Sequence, residues 1–163
     1  MRLLNVEEKS MPKLYMLIGV PASGKSTWIK NQEWASNTVV VSSDRFIDDH
    51  ATKEGKTYNE VFNDYIKIAT KLMENQVLIA QANDCNIVWD QTNTSAKSRK
   101  AKLAMLPNYE KIAVFFQTPE PEVLAWRLDN RPGKSIPWNV MRSMIENLQA
   151  PTEDEGFKEI LYV

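Results

Sequence analysis

The chain has 163 residues, 43% hydrophobic and 25% charged, with 20 basic side chains against 21 acidic ones for a net charge of −1. That length is one domain's worth, able to bury roughly 70% of its unfolded surface. The charge balance excludes a global field that draws the protein onto nucleic acid or membrane, though not a local basic cleft.

No apolar stretch approaches the ~20 residues that cross a bilayer, and Met1 to Ser10 lacks the apolar centre of a signal peptide. A lone Cys85 admits no internal disulfide, so a reducing cytoplasm is the expected location. Residues 1–10 read as an N-terminal extension and 11–163 as a single domain, with Met11 an alternative start.

Lys13–Ile18 is a short apolar run of the kind buried in a parallel sheet. It leads into Gly19-Val20-Pro21-Ala22-Ser23-Gly24-Lys25-Ser26-Thr27, a full match to the phosphate-loop pattern G-x-x-x-x-G-K-[ST]. A strand, a glycine-rich turn and a helix start in that order aim consecutive backbone N–H groups at one place. Lys25 adds a cation for the β- and γ-phosphates, and the Ser26 hydroxyl suits Mg²⁺. The expected ligands are therefore ATP, or another nucleoside triphosphate, and Mg²⁺.

A second strand, Thr38–Ser42, ends beside Asp44-Arg45. Ligands of open α/β sheets sit beyond the carboxyl ends of strands, so Asp44 can act there as a proton acceptor or serve as a helix N-cap. A long helix follows over Tyr58–Gln81, with Val61, Tyr65, Ile68/Ala69, Leu72, Gln76 and Ile79/Ala80 as its predicted apolar stripe. The third strand, Asn86–Asp90, closes on an aspartate that fits a Mg²⁺ site or a turn. Thr92 and Asn93 follow, able to contact substrate or to cap a helix at Ser95–Leu103.

Lys111–Gln117 is the fourth strand, and Thr118-Pro119-Glu120-Pro121-Glu122 carries a capping hydroxyl and helix-start prolines before Val123–Leu128. Arg127 and Arg131, at i and i+4, share one side of a helix end that runs into the basic loop up to Ile136. They read as a lid for departing phosphate charge or as a solvated helix end, and Lys134 can add to the loop's positive field. Trp138–Leu148 forms a last helix with Val140, Met141, Met144, Ile145 and Leu148 inward, and Glu159–Val163 supplies a fifth strand. Trp28, Trp34 and Trp126 read as packing residues.

Five strands alternating with helices predict a three-layer α/β phosphate-loop fold with a mostly parallel sheet. The ordered segments Ile18 to Trp28, Ser43-Asp44-Arg45, Asp90-Gln91-Thr92-Asn93, Arg127-x-x-x-Arg131, Ile136-Pro137 and Met141 to Met144 resemble the kinase domain of phage-type and eukaryotic polynucleotide 5′-kinases. That resemblance implies the adenylate-kinase-like strand order 2-3-1-4-5 and transfer of the γ-phosphate of ATP to the 5′-hydroxyl of DNA or RNA. It implies a donor cradle of Gly19, Pro21 to Thr27, Arg127 and Arg131, with Ser26 and Asp90 serving Mg²⁺. Lys25, Asp44 and Arg131 become the catalytic set, with Asp44 as general base, and Asp44, Arg45, Thr92 and Asn93 face the acceptor.

The phage-type pattern carries an arginine three residues after the base, where this chain has Ile47; Arg45, Lys134 and Arg99 are the remaining candidates for the acceptor backbone. No companion phosphatase motif is present. A small-molecule kinase for a nucleoside, sugar or acid shares these features, and a non-catalytic nucleotide-binding module shares the phosphate loop. The sequence leaves homo-oligomer formation open.

Overall fold

The apolar runs fall into one sheet because each has neighbours to cover both of its faces. A computed structural model describes residues 10–163, so residues 1–9 of the expected extension lie outside the described residues. Strands β1 (Lys13–Ile18), β2 (Thr38–Val41), β3 (Asn86–Trp89), β4 (Glu110–Phe115) and β5 (Glu159–Tyr162) pair in the order β2-β3-β1-β4-β5. All four pairings are parallel. Helices α1 (Lys25–Lys30), α2 (Ser43–Glu54), α3 (Tyr58–Ala82), α4 (Ala96–Ala104), α5 (Pro121–Asp129) and α6 (Trp138–Glu146) make the connections. This is the expected three-layer α/β fold with the expected order.

Alternate residues of one strand enter different clusters. Leu14, Met16 and Ile18 pack with Met73, Val77 and Ala80 of α3 and Leu103 of α4. Leu17, Val88, Val114 and Phe116 pack with Trp28, Trp34 and Tyr15. Both sets are buried, which is why β1 shows no polar alternation. Trp28 and Trp34 stand edge-on at 5.6 Å, as packing residues.

Several local expectations need correction. The buried stripe of α3 is Val61, Ala69, Met73, Val77 and Ala80, whereas Ile68 is 50% and Ile79 64% exposed and Leu72 also faces out. Apolar residues occupy two adjacent sides of this helix. The sheet side carries Met73, Val77 and the small Ala80, which admits close approach, while Val61 and Ala69 pack against Ile47 and Ala51 of α2. Trp126 does not pack inside but is 68% exposed on α5, and Val140 of α6 is likewise exposed. Only every third or fourth residue of these short helices meets the Val20–Leu124–Leu128–Met141 cluster. Thr118 does not cap α5; Glu120 holds the N-cap position with Pro121 at the first turn.

Parallel register brings the working ends of the strands level. Val41 pairs with Trp89, and the Asp90 N–H donates to the Val41 carbonyl at 2.8 Å. Residues following β2 and β3 thus emerge side by side, next to the loop that follows β1.

Candidate active site

The phosphate loop begins where β1 ends, and its first glycine is sterically required. The Gly19 N–H donates to the Thr92 carbonyl at 3.0 Å, and a Cβ there would lie 2.7 Å from Ser23 Oγ and 2.9 Å from Phe116 Cβ. Ala22 and Gly24 take left-handed backbone angles, φ 63° and 104°, which curl the loop into α1. Trp28 is the first residue of α1 whose N–H returns to the loop, to the Gly24 carbonyl at 3.0 Å. Ser23 Oγ is buried without a hydrogen-bond partner among the described residues. An unsatisfied buried hydroxyl beside open N–H groups fits a phosphate ligand.

Lys25 lies folded over the loop, its Nζ donating to the Gly19 and Val20 carbonyls at 2.8 and 2.9 Å. Burial pushes its amine down to about 8, against the pull of the Asp90 and Asp44 carboxylates and with a further push from Arg131. Those four charges, from four separated segments, lie near enough to act on one another. Burial also raises Asp90, opposed by Lys25, while Asp44 adds to the rise and Arg45 opposes it.

Asp44 sits in the first turn of α2 and is exposed; Ser42, not Asp44, occupies the N-cap position, so capping is not its role. Its Oδ1 accepts from the Tyr58 hydroxyl at 2.6 Å. Arg45 is exposed beside it, whereas Ile47 is fully buried with Ala51, Val61 and Ala69.

The segment between α5 and α6 is docked at both ends. Arg127 Nη1 donates to the Ala22 carbonyl at 2.9 Å, on the phosphate loop. At the other end the Asn59 side chain donates to the Ser135 carbonyl and Oγ at 3.0 and 2.7 Å, and its N–H to the Gly133 carbonyl at 3.1 Å. Lys134 is not a free part of the loop's field: it pairs with Asp48 at 2.7 Å and stands 4.7 Å above the Tyr58 ring. Arg131 lines a cavity of about 360 Å³ with Thr57, Asn59, Leu128, Lys134 and Ile136.

Two expectations about the acceptor side fail. Asn93 is buried, donating to the Leu17 carbonyl at 2.7 Å and accepting from Lys102, so its amide is spent on holding the β3–α4 turn. Arg99 has no exposed surface: it grips Glu155 through Nε at 2.7 Å and donates to the carbonyls of Asn93, Gln149 and Ala150. Ser95, rather than Thr92 or Asn93, caps α4, while the Thr92 carbonyl anchors Gly19.

Among the described residues no three His, Cys, Asp or Glu side chains cluster as a metal site. A single carboxylate and a serine hydroxyl suit Mg²⁺, which keeps several waters and is completed by substrate phosphates. Asp90 and Ser26 are the residues that fit. No helix among the described residues is long and apolar enough to cross a membrane.

Known proteins share this fold. An AAA-domain family profile matches residues 14–151. A chain of the Pnkp1/Rnl/Hen1 RNA repair complex is 25% identical with a TM-score of 0.64, covering 90% of this chain and 47% of its own. This chain thus spans about half the length of that relative. A chain of the PezAT chromosomal toxin–antitoxin system of Streptococcus pneumoniae is similar in fold at 20% identity and TM-score 0.69, with coverage of 94% and 67%. So is a gluconokinase from Sinorhizobium meliloti at 20% identity and TM-score 0.55, with coverage of 95% and 83%. The chain belongs to the AAA-domain family and is a P-loop kinase-like, nucleotide-binding member of it.

Proposed function

We propose that the protein is a polynucleotide 5′-hydroxyl kinase that uses ATP. The observation that carries this reading is the meeting of Lys25, Asp44, Asp90 and Arg131 in one crevice at the strand ends. A binding module needs the first of these but has no use for a carboxylate positioned like Asp44. The RNA-repair relative, at 25% identity over 90% of this chain, favours a nucleic-acid acceptor.

In the proposed reaction the loop N–H groups and Lys25 hold the triphosphate, and Arg127 and Arg131 cover it from the lid. Asp90 and Ser26 would hold Mg²⁺, which supplies charge neutralisation at the β- and γ-oxygens. Asp44 accepts the acceptor's hydroxyl proton as the oxygen bonds to the γ-phosphorus. The bond from that phosphorus to the β,γ-bridging oxygen breaks, and its electron pair leaves with ADP. No covalent enzyme intermediate is needed.

A small-molecule acceptor is the second reading. It is favoured by Ile47, buried where the phage-type pattern has an arginine, and by Asp48, which neutralises Lys134. Transfer of labelled γ-phosphate to 5′-hydroxyl oligonucleotides, nucleosides and sugars decides between them, with Lys25→Ala as control. Label on oligonucleotides that vanishes in the control supports the proposal. Label confined to small acceptors, or no transfer despite tight ATP binding, refutes it.

A further inference from the structure

A carboxylate on the exposed first turn of a helix swings between rotamers unless one oxygen is held. Asp44 is so placed, and among the described residues Tyr58 is the one side chain that hydrogen-bonds it. Tyr58 opens α3 directly after Thr57, whose capping box with Glu60 fixes that helix start. Its ring packs against Phe62 at 5.6 Å between centroids. Lys134 of the lid covers one face, itself held by Asp48.

The lid therefore reaches Asp44 through a chain of contacts: Asp48 to Lys134, Lys134 to the Tyr58 ring, Tyr58 hydroxyl to Asp44. Docking of Gly133 and Ser135 on Asn59, one residue from Tyr58, sets the register of that chain. We infer that Tyr58 is a positioning residue for phosphoryl transfer, fixing Oδ1 of Asp44 so that Oδ2 is left to take the acceptor proton, and that lid docking reaches the base through its ring. This inference rests on the reading of Asp44 as general base. Burial, then the Asp44 carboxylate, pushes the phenol above its ordinary range, so Tyr58 stays a donor at working pH.

The charges near the pair come from several elements: Arg45 and Asp48 on α2, Arg131 and Lys134 on the lid, Lys25 on the loop and Asp90 after β3. A Tyr58→Phe variant leaves all of them in place, along with the ring and its cation contact. Only the donated hydrogen bond is lost. That bond fixes which carboxylate oxygen faces the acceptor, so its loss misorients the base without removing it.

The test is steady-state kinetics of Tyr58→Phe, Asp44→Asn and the double variant on the acceptor identified by label transfer, with melting temperatures alongside. Tyr58→Phe should lower kcat roughly 10- to 100-fold and keep KM for ATP within about twofold. Added to Asp44→Asn it should cost nothing further, because one pair cannot be broken twice. Replacing Tyr58 by a fluorinated tyrosine, a donor of nearly the same size, should keep kcat within about twofold of wild type, and this measurement does not depend on the Phe variant folding. Wild-type kcat in Tyr58→Phe beside an inactive Asp44→Asn would overturn the positioning role alone, as would losses that multiply. An active Asp44→Asn would instead overturn the base assignment itself.

Discussion

Replacing Arg99 by methionine should cost the fold about 3–5 kcal/mol, the range for breaking one side of a buried ion pair. The side chain has no exposed surface, and Glu155 keeps only 14% of its own. Met fills much of the volume but leaves Glu155 without the two Arg99 donors, at 2.7 and 3.1 Å, and only the Thr152 N–H remains. It also strips donors from the carbonyls of Asn93, Gln149 and Ala150, each worth about 1–3 kcal/mol if water does not replace them. Water reaching the Glu155 side of the site limits the total, so the sum stays near the ion-pair figure. For a domain of this size, about 2–4 °C per kcal/mol turns that loss into a melting shift of roughly 6–20 °C.

Thermal and urea melts of Arg99→Met and Glu155→Gln measure it, and pH adds an independent check. Burial works to raise Glu155, but the hydrogen bonds from Arg99 and Thr152 outweigh it and hold the carboxylate below its ordinary 4.5. A group depressed in the folded state contributes stability above its unfolded value and loses it as pH falls through the folded one. Arg99→Met should flatten that acid branch. A loss under about 1 kcal/mol, with oligonucleotide binding weakened instead, would return Arg99 to the surface and refute the reasoning.

Lys25 and Lys102 are both pushed by burial to about 8. The unfolded chain then binds more protons than the folded one from about pH 8 to the ordinary 10.5, so the urea midpoint should rise between pH 7.5 and 9.5; a flat or falling midpoint contradicts the burial of these amines. Gly19→Ala must displace Ser23 or Phe116, a strain of about 1–3 kcal/mol, and should weaken ATP binding roughly tenfold; unchanged affinity would mean the loop is looser than its contacts imply. Met73→Ala should cost about 2–5 kcal/mol and Ile79→Ala under about 0.5, read from urea unfolding; the reverse order would restore the stripe expected from sequence.

How much was legible follows from which signals are local. The strand starting at Lys13 and the loop from Gly19 to Thr27 announce themselves, because sterics and N–H geometry act within a few residues. Asp44 and Asp90 were legible one step further, since parallel register alone brings the ends of β2 and β3 together. The phase of α3 was not, because two apolar sides compete and only the neighbours choose between them. Asn93 and Arg99 are polar residues that a pattern places outside; their burial depends on carbonyls contributed from Leu17, Gln149 and Ala150. The contact of Tyr58 with Asp44 has no pattern of its own in the sequence, although Thr57-x-x-Glu60 marks the helix start that aims it.

The proposed polyanionic acceptor has to be reconciled with the neutral overall charge at the lid. A fixed cation on the inward side of α2 is impossible here, since Ile47 is buried in the α2–α3 interface. The cations near Asp44 and Tyr58 are instead Arg45 on α2 and Arg131 and Lys134 on the lid, opposed locally by Asp44 and Asp48. Three positive groups against two negative ones leave about one net charge, so long-range attraction is weak and acceptor affinity comes from a few close contacts. With one or two phosphates engaged, the log–log salt slope is only about −1 to −2. A shallow slope is therefore compatible with an oligonucleotide in this chain. Arg127 binds the phosphate loop and Ser135 binds the start of α3, so under the kinase reading proposed above one segment would cover both substrates. Acceptor selection and donor coverage are then one docking event, and a change in the lid should alter KM for both substrates together.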